Sequence, residues 1–379
     1  MILDNPREFK AVDKGGMLKH LLGLPEALVE AYTTSNRLTL PREIRIGRVN
    51  MVYEEPDNIV VCGMGGSAIG GLLLQCWLKD VLEVPLEIVR DYRLPAYAGR
   101  RTLALVVSYS GNTEEALSCF VEALRRGCMT VAITSDGILK RYAEKLGVPT
   151  YVAPAGMPPR AAIAYLSIPL AVIIEKLGAR LQLKEQVEET WKVLNKMRSE
   201  IGPESPSLEN PAKQLALKLR GKLPVIYAYT DYYAAAFRFK TQLNENSKYP
   251  AKCEEMPELN HNEIVGWELS GEIGRKSLVI FLIGGDEPPE IKLRFEVTKD
   301  IIREKVSEIV EIHGKGTSRL ARLFSLIYFG DMVSYYLAIL NGVDPTPVPQ
   351  IERLKGELSK RGAALRRIEQ EYQKLFEGR

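Results

Sequence analysis

Two short stretches carry residue types suited to holding a phosphate. In "GMGGSAIGG", residues 63–71, Gly65 and Gly66 let the backbone approach an anion closely, and Ser67 adds a hydroxyl where a helix begins. In "SYSGNTEE", residues 108–115, Ser108, Ser110 and Thr113 offer three hydroxyls on a Gly/Asn turn leading into a helix. Each stretch admits a plainer reading. Gly63 to Ala68 also fits the dinucleotide fingerprint GxGxxG/A, with Glu87 and Asp91 near the spacing of a ribose-binding acid. Asn112 or Thr113 followed by Glu115 also fits a helix N-cap that needs no ligand. A dinucleotide site uses one glycine loop, so the pair of loops favours a phosphate monoester.

Candidate proton-transfer groups lie further along the chain. Arg238, Gln242 and Glu245 fall at i, i+4 and i+7 on a helix expected from residue 231, and so share a face. A carboxylate there suits general acid–base work, although a glutamate in a last turn also suits plain solvent exposure. Sixteen residues later "ELNHNE" holds His261, one of three histidines; His20 and His313 read as structural. The tyrosine-rich "YAYTDYYAAAF" stands where the first half has its glycines, so the second half has no evident phosphate loop.

The elements around these residues read as α/β. From residue 57 short apolar runs ("NIVVCG", "LEIVRDY", "TLALVVSYS", "CMTVAITS", "PTYVA") alternate with helical stretches, the pattern of βαβ units on a parallel sheet. Residues 159–220 read as helical, broken by "GPESPSLENP", the best linker candidate. The alternation resumes with "LPVIYAYT", "PAKCEEM", "SLVIFLIGG" and "VSEIVEIHG". A helix over 317–341, a proline elbow and one charged helix from 350 to about 376 close the chain.

At 379 residues the chain is long enough for two domains of roughly 150 residues each. A net charge of only +3 does not favour nucleic acid. Five cysteines without CxxC or Cys/His spacing argue against zinc and for reduced, buried thiols. "MILDNPREFKAVDKGG" lacks the pattern of a signal peptide, which points to the cytoplasm. "LFSLIYFGDMVSYYLAIL" is long enough to span a membrane, but Asp331, Gly330, the serines and the aromatics favour a buried helix, so no membrane association is expected.

The two loops, followed by a second αβ half, resemble the sugar isomerase (SIS) fold, which binds phosphosugars. "QLNENSKYPA", "ELNHNEIVGW" and "PTPVPQIERLK" extend the match, and over residues 50–360 the chain resembles the dual-specificity phosphoglucose/phosphomannose isomerases found mainly in archaea. The resemblance implies two SIS domains, each a parallel sheet flanked by helices, at 51–158 and 221–314. Around them it leaves an N-terminal helical extension over 1–50, a helical connection over 159–220 and C-terminal helices over 315–379.

By the same resemblance, Glu245 moves a proton between C1 and C2 of an open-chain hexose 6-phosphate through a cis-enediol. His261 and Lys355 serve ring opening, Arg160 faces the developing enediolate, and Gly65, Gly66, Ser67, Ser108, Ser110 and Thr113 hold the phosphate. Thr346 is the candidate for admitting mannose 6-phosphate, with Val348 the alternative. No metal and no organic cofactor are required. The resemblance further implies a homodimer in which His261 serves the partner's site, with the apolar helices at 161–177 and 323–340 as candidate interface. A non-catalytic phosphosugar sensor and an aminosugar-phosphate isomerase are the rival functions.

Overall fold

A computed structural model describes residues 2–375. The chain forms two compact units, one from Met1–Glu26 with Glu185–Pro347, the other from Ala27–Lys184 with Val348–Arg379.

The second of these carries the glycine loops. An antiparallel hairpin, β1 (Glu43–Ile46) and β2 (Val49–Val52), turns at Gly47 with φ +57°. It follows three helices within the N-terminal helical extension expected over 1–50. Five parallel strands follow: β3 (Asn58–Cys62), β4 (Leu86–Val89), β5 (Thr102–Val107), β6 (Met129–Thr134) and β7 (Thr150–Val152), in the order β4-β3-β5-β6-β7. β5 and β6 are buried along their whole length, because helices cover both faces of a parallel sheet; hence their unbroken apolar runs. The helix Glu114–Arg126 shows why its sequence ends where it does. Glu114 and Glu115 face its positive end, Arg125 and Arg126 its negative end, and Gly127 at φ +74° stops it.

The single C-terminal helix expected from 350 is two helices, Pro349–Arg361 and Ala364–Lys374, parted at Gly362. The first buries nothing. The second is held in the unit: Tyr372 stacks on Tyr142 at 3.6 Å, Glu369 takes the Tyr142 hydroxyl, and Arg125 pairs with Glu371 at 2.6 Å.

The other unit holds β8 (Leu223–Tyr229), β9 (Lys252–Met256), β10 (Ser277–Ile283) and β11 (Glu308–His313), all parallel, in the order β11-β10-β8-β9. β8 and β10 match β3 and β5, β9 matches β4, and β11 matches β6, so the two sheets share a topology apart from β7. Tyr227, Phe281, Phe295, Trp267 and Ile291 are among the buried residues of its core.

The helix Arg319–Leu340 is long and apolar enough to cross a membrane, but 94% of its apolar window is buried inside the protein. It is buried on all sides, which explains its weak amphipathicity. Asp331 at its middle is matched by Arg238, whose Nε and Nη2 reach the two carboxylate oxygens at 3.0 and 2.7 Å, both side chains being 2% exposed. The helices at 163–176 and 319–340 are therefore core elements of their own units, and neither offers the free apolar face expected of a subunit interface.

"GPESPSLENP" is no linker: it lies inside this unit, and the chain passes between units at 26/27, 184/185 and 347/348. Lys213 explains its order. Fully buried, its ammonium donates to the carbonyls of Pro203 and Ser205 at 2.8 and 2.7 Å and lies 3.4 Å from Asp4, while Asn210 donates to the Gly202 carbonyl. Burial lowers the Lys213 pKa, and Asp4 opposes that shift.

Candidate functional site

In the β4-β3-β5-β6-β7 sheet the chain leaves β3 for one edge and returns to β5 on the other side, so the strand order reverses between β3 and β5. Crevices at such reversals, outside the carboxyl ends of the strands, are where α/β sheets bind ligands. Both sequence-predicted loops are there. Gly65 has φ +51° and ψ −123°, a conformation open to glycine, and precedes the helix Gly66–Leu78. Gly66 lies so close to the Pro159–Arg160 backbone that a Cβ would stand 3.1 Å from it. This contact brings Arg160, 3% exposed, beside the first loop.

The second loop is tied to the first. Ser67 Oγ accepts the Tyr109 N–H at 3.2 Å, and Ser108 Oγ donates to Thr113 Oγ1 at 3.0 Å. Thr113 stands at the N-cap of Glu114–Arg126 but its side chain makes no capping bond. Asn112 does cap, but for the next helix, accepting Ile138 N at 3.1 Å. The plain N-cap reading therefore fails for Thr113, whose hydroxyl stays with Ser108. Ser110 Oγ accepts Asn112 N at 3.3 Å. Gly111, φ +68°, abuts the Asp136 carbonyl, so no side chain fits. Glu87, one of the candidate ribose acids, accepts the Tyr97 hydroxyl at 2.7 Å.

Sequence reasoning missed Tyr109. Buried between the two serines, it donates its hydroxyl to Pro154 O at 2.8 Å and accepts Met157 N at 3.0 Å, fixing the segment that leads to Arg160. Burial raises its pKa. The one available signal was a large aromatic flanked by serines at a strand end. Cys62 ends β3; its hydrogen bond with the Cys119 thiol, then its burial, hold it well above the usual thiol range. Lys355, also in this unit, is exposed on the helix Pro349–Arg361.

The other unit carries the remaining predicted residues. Glu245 is half-buried in the last turn of the helix Tyr233–Glu245. Arg238 and Gln242, which share its face, are buried, and Arg238 is committed to Asp331. His261 is exposed at the end of the short 3-10 turn Glu258–His261. That turn is rigidly seated: Leu259 is in the core, and Asn260 donates to Thr298 Oγ1 at 2.8 Å and accepts from Arg294 at 3.2 Å. Thr346 lies against Gly15, where any side chain would collide with it, and its N–H donates to Asp344 Oδ1 at 3.0 Å. The N-terminal segment thus supports the proline elbow. Among the described residues no group of His, Cys, Asp or Glu is arranged to hold a metal ion.

Known proteins place this arrangement in a class. Residues 52–156 match the SIS domain, and residues 208–358 match the bacterial phospho-glucose isomerase C-terminal SIS domain. The chain is thus a two-domain protein of the sugar isomerase fold. A bifunctional phosphoglucose/phosphomannose isomerase of Caldicellulosiruptor bescii is 43% identical over 345 residues, covering 91% of this chain and 99% of that one. One from Aquifex aeolicus is 37% identical over 80% of this chain and 90% of its own. The chain belongs to the bifunctional phosphoglucose/phosphomannose isomerase family. A glucose-6-phosphate isomerase-like protein of Thermus thermophilus shares the fold, with a TM-score of 0.60 at 21% identity over 91% of this chain and 98% of that one.

Proposed function

We propose that this enzyme interconverts glucose 6-phosphate and mannose 6-phosphate with fructose 6-phosphate, without an organic cofactor or metal. The observation that carries the reading is the hydroxyl-lined cradle at the β3/β5 reversal of a chain belonging to this family. Gly65, Gly66, Ser67, Ser108, Ser110 and Thr113 hold the 6-phosphate through backbone N–H groups and hydroxyls.

Glu245 takes the C2 proton of the open-chain aldose. The released electron pair forms the C1–C2 double bond as the C1 carbonyl oxygen becomes an enolate; a proton passes from O2 to O1, and Glu245 returns its proton to C1, leaving a ketone at C2. Arg160 offsets the enediolate charge. His261 and Lys355 exchange protons with the ring oxygen and the C1 hydroxyl during ring opening, and Thr346 admits the rotation of the enediol that leads to the mannose epimer.

The working unit is a homodimer in which His261 serves the partner's site. Two features support a second copy as partner. His261 is exposed, as are Val265, Leu269 and Ile273 at 59, 96 and 69%. The helix bearing Lys355 buries nothing and shows Ile351, Leu354 and Leu358 along one face, at i, i+3 and i+7. The five free cysteines, all buried, suit a reducing cytoplasm.

The test is metal-free conversion of fructose 6-phosphate, following both aldose products separately, with Glu245→Gln alongside. Both products are expected from the wild type, and a loss of about 10²- to 10⁴-fold in kcat from the variant with sugar phosphate still bound. Binding without turnover by the wild type would replace the isomerase with a non-catalytic sensor.

A further inference from the structure

Lys248 follows the catalytic helix by three residues and has φ +54°, the left-handed region that favours glycine or asparagine just past a helix end. A lysine there has lost backbone freedom and gained nothing from burial, since it is exposed. Its side chain accounts for its presence. The ammonium donates to three backbone carbonyls: Glu245 at 2.7 Å, Asp344 at 3.0 Å and Pro345 at 3.2 Å. Three donors thus meet three acceptors, one at the negative end of the helix Tyr233–Glu245 and two in the proline elbow.

The carbonyls matter by position. The first belongs to the residue assigned as the base. The other two belong to the residues immediately before Thr346, whose own N–H is fixed by the Asp344 side chain. The segment at the helix end is independently pinned to Arg319–Leu340: Asn246 Nδ2 donates to Ser334 Oγ at 2.9 Å and Ser247 Oγ to Ser334 O at 2.6 Å. Lys248 therefore connects a fixed segment carrying the carboxylate to an elbow carrying the specificity residue, and sets the separation of their backbones.

We propose that Lys248 is a positioning residue for the isomerisation, a clamp whose ammonium holds the Glu245 backbone and the Thr346 elbow in register and so sets how the enediol partitions between glucose and mannose products. The inference rests on the reading of Glu245 as the base.

The experiment compares wild type with Lys248→Met, Lys248→Asn and Lys248→Arg, measuring kcat, KM and the ratio of glucose 6-phosphate to mannose 6-phosphate formed from saturating fructose 6-phosphate, per mole of folded enzyme. Lys248→Asn keeps a residue that tolerates positive φ, so it separates loss of the ammonium from loss of the backbone conformation. Both uncharged variants are expected to lose about tenfold or more in kcat, the scale of a displaced reacting group, with KM changed by less than about threefold and the product ratio shifted by about threefold or more. Lys248→Arg is expected to recover most of both effects.

The proposal is overturned if Lys248→Asn keeps wild-type kcat and product ratio, or if Lys248→Arg is as impaired as Lys248→Met. A Glu245→Gln enzyme that retains full activity would instead overturn the base assignment beneath it, whatever the Lys248 variants do.

Discussion

The two sheets repeat one topology, yet their matching crevices are finished differently. After β3 and β5 the loops bring together glycine backbone and the hydroxyls of Ser67, Ser108, Ser110 and Thr113, with Ser67 and Ser108 buried. After β8 and β10 the corresponding space is filled by the protein's own groups. The Glu287 carboxylate, 3% exposed, accepts the N–H groups of Gly284 and Gly285, and the buried Tyr232 donates to Asp286 at 2.5 Å. Arg322 Nη1 lies 2.9 Å from the other Asp286 oxygen, and Arg319 lies 3.5 Å from Asp231. The second crevice thus holds internal carboxylates where an anionic ligand would sit. One copy of the architecture ends its strands in glycine backbone and hydroxyls; the other ends them in internal carboxylates, and the helix following its first strand carries Glu245.

That contrast can be broken experimentally, most severely at the buried pair that anchors the Glu245 helix. Asp331→Ala strands the Arg238 guanidinium in the core and should cost about 3–5 kcal/mol in denaturant unfolding; a loss under about 1 kcal/mol would mean the pair does not hold the helix. At the hydroxyl-bearing crevice, Ser108→Ala and Thr113→Val should each raise KM for fructose 6-phosphate about tenfold, since a hydrogen bond to a charged group is lost, with kcat little changed.

Glu287→Gln makes a comparable change at the carboxylate-bearing crevice. It should leave KM unaltered and lower stability by about 1–3 kcal/mol; a rise in KM matching that of Ser108→Ala would erase the distinction between the crevices. The smallest effect concerns Glu189. Burial pushes its pKa up, but hydrogen bonds from Ser318 and Thr317 at the start of Arg319–Leu340 outweigh this and lower it from 4.5 to about 2. Because the folded pKa is the lower one, its contribution is present above pH 4.5 and lost as pH falls toward 2. Allowing for solvent screening, wild type should exceed Glu189→Gln by about 1 kcal/mol at pH 6, and the gap should close on acid titration.

The sheets were legible because parallel strands buried on both faces leave continuous apolar runs, and the two loops of the first crevice because glycine and hydroxyl residues cluster at strand ends. What escaped depended on partners remote in sequence. Nothing local to "GPESPSLENP" reveals that Lys213 reaches back to grip it, although a lysine between Ala212 and Leu215 on an apolar helix face was a hint. Tyr109 acts through contacts 42 to 48 positions away, and Lys248 reaches two carbonyls 96 and 97 positions away. The break at Gly362 was masked by charged helix formers on both sides, and the hairpin at 43–52 by the brevity of its strands.

The three crossings of the chain bear on how the molecule is made. Neither unit is a continuous stretch of sequence, so no truncation separates them cleanly. The sheet β4-β3-β5-β6-β7 is synthesised whole before residue 153, yet the helix Ala364–Lys374 that lays Tyr372 over Tyr142 comes only after β8 to β11 in the chain. Domains ordinarily complete themselves in order of emergence from the ribosome. Here the sheet that is made first gains the helix Ala364–Lys374 only after the other unit's residues Glu185–Pro347 have all been made.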